Sequence, residues 1–84
     1  MTQIELARQW AATPVGYRKA SALFCDFAVI YSYSRKFPLA QIMDLEHAVV
    51  TNAYCPSRTT KHHLNMVRRV LERARYIVTE GPLT

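Results

Sequence analysis

The side chains best suited to chemistry in this sequence are its cations. Arg18 and Lys19 follow the stretch Thr13-Pro14-Val15, and Lys61, Arg68, Arg69 and Arg73 recur through the last third of the chain. A guanidinium is a planar fork that spans the O6 and N7 acceptors of guanine, whereas cations that meet only phosphate position a protein without reading bases. Arg18 is therefore expected to read a guanine and Lys19 to touch phosphate. Val15 is expected to pack on a thymine methyl, with Thr13 on the same groove-facing side. Lys61, Arg68, Arg69 and Arg73 are expected to lie along phosphates.

Other reactive residue types do not assemble into a recognisable site. His47, His62, His63, Cys25 and Cys55 have suitable ligand atoms for zinc, but no CxxC or HxxxH pair occurs, and no metal or other cofactor is expected. Asp44 and Glu46 are two apart and would point to different faces of a helix. With no nucleophile beside a base and no paired carboxylates, the chain is not expected to be an enzyme.

Composition supports an anionic partner. Of 84 residues, 11 are Lys or Arg and 6 are Asp or Glu, a net charge of +5. The excess is uneven: five basic and two acidic groups precede residue 37, and six basic groups face one acidic group between 55 and 76. Double-stranded DNA or an acidic protein surface fits this field. Aromatic residues Tyr31, Tyr33, Phe37 and Tyr54 suit a protein partner equally well, as in an inhibitor or adaptor acting on a larger complex. So short a chain buries only about 60 to 65 per cent of its unfolded surface, and a homodimer is expected to add to a modest stability. Two cysteines and no recognisable secretory leader point to a reducing cytoplasm. The most apolar run, 20 to 33, is interrupted by Asp26 and is shorter than the roughly 20 residues that cross a bilayer, so no membrane association is expected.

The elements that must position these cations read as four helices divided by prolines. They are expected over about 3–12, 14–33, 38–54 and 58–78, with a frayed tail over 79–84, in an all-α compact bundle. Thr13 and Pro14 read as the opening of the second helix, and Tyr17, Ala20, Phe24, Phe27, Ile30 and Tyr31 then recur three or four apart. Val49, Val50 and Thr51 are β-branched and weaken the helical signal of the third segment, with a short strand as the alternative there. Leu64, Val67, Leu71, Ala74 and Ile77 keep a helical period in the fourth.

The window from Gln3 to Ala22 reads as a helix-turn-helix pair, with Leu6 and Ala7 inward, Trp10 at the turn, and Tyr17 and Ala20 packing back. Its core, LARQWAATPVGYRKA, resembles the bihelical unit of small bacterial and phage helix-turn-helix regulators. That resemblance implies transcription control through DNA binding by the second helix. LARQW, GYRKASALF and NAYC are also similar to elements of small enterobacterial regulators of the PerC and AraC-negative-regulator type, which implies control exercised partly through another regulator.

Overall fold

The computed structural model describes residues 1–53 and 57–83. Its order is α1 (Gln3–Ala12), β1 (Tyr17–Ala20), β2 (Leu23–Asp26), β3 (Val29–Ser32), β4 (Pro38–Ile42), β5 (His47–Thr51), α2 (Arg58–Arg73) and β6 (Ile77–Gly81). The strands form one six-stranded sheet in sequence order, antiparallel from β1 to β5, with β6 parallel to β5. Both helices pack against each other and against one face of the sheet. The fold is therefore mixed α and β, which overturns the expected all-α bundle.

The register assigns the two faces. Ala20, Leu23, Cys25, Ile30, Ala40, Ile42, Ala48 and Val50 point toward the helices and meet Leu6, Trp10, Val67 and Leu71 in one core. A bulge between Ile30 and Tyr31 lets β4 bury the consecutive residues Leu39 and Ala40. On the opposite face, Lys19, Phe24 and Tyr31 are cross-strand neighbours, and no described element covers them.

Two of the four expected helical segments are helices, because their local signals agree with their packing. Thr2 and Glu5 form a reciprocal capping box at α1, and the Ser57 hydroxyl accepts the Thr60 N–H at α2. The segment expected as a helix over 14–33 is instead a meander of three strands. Gly16 has φ +75°, which no helix accepts, so Pro14 opens a loop rather than a second helix, and the helix-turn-helix pair does not form. Ser21-Ala22 and Phe27-Ala28 close two-residue hairpins in which the first residue has positive φ, a position glycine usually takes. Ser21→Gly is expected to relieve this strain and stabilise the protein by up to ~1 kcal/mol, read as a higher urea midpoint at unchanged slope.

The segment expected over 38–54 is the β4–β5 hairpin, up to the last described residue, Ala53; Tyr54 lies outside the described residues. The Asp44 carboxylate accepts the N–H groups of Glu46 and His47, each at 2.8 Å, and so builds the turn. These bonds hold its carboxyl below the usual carboxylate range. Nor does α2 run to residue 78. Arg75 takes a left-handed φ of +69°, its N–H bonds the Glu72 carbonyl, and the Tyr76 N–H reaches the Leu71 carbonyl, a Schellman closure without glycine. The segment expected as a frayed tail contributes β6, whose N–H and C=O groups pair with β5; Thr84 lies outside the described residues.

Candidate nucleic-acid interface

The inward stripe of α2 decides which of its cations face solvent. Thr60, His63, Val67, Val70 and Leu71 are buried, which turns Arg58, Lys61, His62, Arg69 and Arg73 outward. On α1 the inward set is Leu6, Ala7, Trp10 and Ala11, so Arg8 projects away from the sheet. The helices meet along a seam where Ile4, Arg8, Met66, Arg69, Val70 and Arg73 enclose a shallow cleft of about 210 Å³. Arg8, Arg69 and Arg73 thus come from two helices onto one surface. Sixteen residues of α2 span about 24 Å along this layer.

Five of the six carboxylates are already engaged, two of them, Glu5 and Glu72, on the helices themselves. Asp26 pairs with Arg35 at 2.7 Å, Asp44 with His47 at 2.9 Å, and Glu72 and Glu80 with Arg68. Glu5 is held by the Thr2 hydroxyl, which keeps its carboxyl below the usual range. Among the described residues, no ion pair involves Arg8, Arg58, Lys61, Arg69 or Arg73. The outer face of the helical layer consequently carries a positive excess, five cations without ion pairs against Glu5 and Glu72, which Thr2 and Arg68 already engage.

The residues nominated from sequence are split between surfaces. Lys61, Arg69 and Arg73 are exposed on α2. Arg68 lies on the flank toward β6, between Glu72 and Glu80, so two carboxylates neutralise it. Thr13 and Val15 are exposed in the α1–β1 loop, not on a recognition helix. Arg18 is half-buried and donates to the carbonyls of Thr13 at 2.9 Å and Val15 at 3.3 Å, which ties that loop to β1. Lys19 alternates with it and stands on the other face of the sheet. Of the aromatic residues considered for a partner, Tyr33 and Phe37 are exposed and Tyr31 is half-buried, while Tyr54 is undescribed. Arg8 was missed, although the inward spacing of Leu6, Ala7, Trp10 and Ala11 already implied its outward direction.

The two adjacent histidines, His62 and His63, separate sharply in exposure. His62 is exposed, whereas His63 is 1% exposed. His63 Nδ1 lies 2.9 Å from the Ser32 hydroxyl, with the Thr60 hydroxyl 3.5 Å from the same oxygen. Burial, reinforced by His62, lowers the His63 pKa. A hydroxyl at an imidazole nitrogen is the contact of a nucleophile with its base, yet Ser32 is completely buried, so this cluster joins α2 to β3 without meeting a substrate. Cys25 is also fully buried, and its thiol pKa is raised by desolvation. Cys55 lies outside the described residues. Among the described residues, no group of three or more His, Cys, Asp or Glu side chains is placed to hold a metal ion, and no helix is long and apolar enough to cross a membrane. No protein-family model, curated protein or solved structure matches the chain.

Proposed function

We propose that this protein binds nucleic-acid duplexes through phosphate contacts on the outer face of its helical layer, with Arg8, Arg58, Lys61, Arg69 and Arg73 as the contacting cations. The observation that carries this reading is the absence of ion-pair partners for those five side chains among the described residues, while Arg68 on the same helix has two. Counterions condensed on a duplex are released when such cations dock, and that release drives association. Contacts of this kind orient a protein without reading bases, and Arg18, turned onto its own loop, adds no base contact.

The test is a titration of labelled duplex over a range of salt concentrations, comparing the parent with Arg69→Ala/Arg73→Ala. Loss of two phosphate contacts is expected to reduce the slope of log affinity against log salt by about 1.8, and to weaken unrelated duplex sequences alike. Circular dichroism should be unchanged, since both side chains are exposed. A variant that keeps the parent's slope and affinity would show that duplexes do not bind this surface.

A further inference from the structure

We infer that the uncovered face of the sheet is a second, separate site, one that takes single-stranded nucleic acid by stacking bases on Tyr17 and on Arg35 above Tyr31. Three aromatic rings lie side by side on neighbouring strands there. Tyr17 and Phe24 have ring centroids 6.0 Å apart, and Phe24 and Tyr31 are stacked at 5.0 Å. The Arg35 guanidinium lies 5.9 Å from the Phe24 centroid and 5.5 Å from that of Tyr31, and Asp26 anchors it at 2.7 Å.

The middle ring is closed to a ligand, because Phe24 is only 8% exposed beneath its neighbours. Accessible surface remains at the two ends. Tyr17 is 57% exposed, and its one ring contact among the described residues is Phe24. Arg35 keeps 59% of its side chain exposed above the other end. Aromatic rings and guanidinium planes both accept unpaired bases, and stacking of this kind tolerates any base. The two platforms flank the buried Phe24 ring, whose centroid is 6.0 Å from that of Tyr17 and 5.9 Å from the Arg35 guanidinium. Lys19 lies directly across from Phe24, exposed and without an ion pair among the described residues, where a backbone phosphate joining two stacked bases would pass. A duplex keeps its bases stacked on each other and offers none to this face, so the chemistry selects the single strand. The cations of the helical layer are on the far side of the sheet and contribute nothing here.

The experiment measures fluorescence anisotropy of three labelled probes: a short oligo-deoxythymidine, an abasic strand of the same length, and a duplex. The parent is expected to bind the thymidine strand about tenfold more tightly than the abasic strand, which carries the same phosphates. Tyr17→Ala should remove most of that difference and leave the abasic strand and the duplex unaffected; the exposure of Tyr17 makes the substitution compatible with folding, which circular dichroism checks. Equal affinity of the parent for the two strands overturns the inference. So does a thymidine affinity that survives Tyr17→Ala but falls with Arg69→Ala/Arg73→Ala, because the strand then lies on the helical layer. Duplex binding can fail while the Tyr17-dependent preference persists, so the two sites are judged independently.

Discussion

Trp10→Ala is expected to destabilise the protein by about 4 kcal/mol, enough to leave most of the chain unfolded near physiological temperature. Trp10 is completely buried at the centre of α1's inward stripe, and the core around it includes Leu6, Leu23, Ile30 and Leu71. Truncation removes the largest fully buried side chain and leaves a cavity where α1 meets the sheet. Its indole N–H also donates to the Phe27 carbonyl at 2.9 Å, tying α1 to the strained β2–β3 turn. Trp10→Phe separates the two contributions: it retains most of the volume, loses the hydrogen bond, and is expected to cost about 1 to 2 kcal/mol. Urea unfolding followed by circular dichroism measures both variants, since Trp10 is the single tryptophan and fluorescence is lost with it. A Trp10→Ala midpoint close to the parent's would mean that α1 does not hold the sheet.

His63→Ala is expected to cost about 3 kcal/mol, for a different reason. The substitution strips the Ser32 hydroxyl of its imidazole partner inside the core and opens a void between α2 and β3. Stability should also depend on pH through this residue. The folded state lowers the His63 pKa, so the unfolded chain binds the proton more readily. The contribution is present in full above the ordinary histidine pKa of about 6.5 and is lost as the pH falls below it toward the depressed folded value. Denaturation midpoints measured between neutral and mildly acidic pH should therefore fall for the parent and fall less steeply for His63→Gln, which retains a polar side chain without a proton to gain. Parallel curves for the two proteins would refute a buried neutral histidine.

The two faces of the sheet have different physical characters, and that contrast organises the functional proposals. The helical side presents Arg8, Arg58, Lys61, Arg69 and Arg73 from α1 and α2 without ion-pair partners among the described residues, suited to a regular array of phosphates. The open side presents rings and one guanidinium, suited to bases freed from pairing. Arg18 and Lys19 show how one step along a strand separates the two environments, since successive side chains point to opposite faces.

Signals confined to a few consecutive residues were legible without a structure. The apolar spacing of Leu6, Ala7 and Trp10 and the stripe of Leu64, Val67 and Leu71 each describe a helix whose hydrogen bonds close within the segment itself. The excess of cations in the last third was equally plain. The sheet was not, because Tyr17, Phe24 and Tyr31 recur every seven residues, a spacing that makes one stripe on a helix and also puts all three on one face of three short strands joined by two-residue turns, Phe24 opposite Tyr31 and Tyr17 diagonal to Phe24. The alternation that marks strands is interrupted at each turn, and Ser21 and Phe27 occupy turn positions where glycine would have announced the hairpins. Arg75 hides the end of α2 in the same way. Strand pairing satisfies each backbone group with a partner from another segment, so burial against α1 and α2 settled the register. That packing turned Arg18 onto its own loop, placed Lys19 on the open face, and sent His62 and His63 in opposite directions.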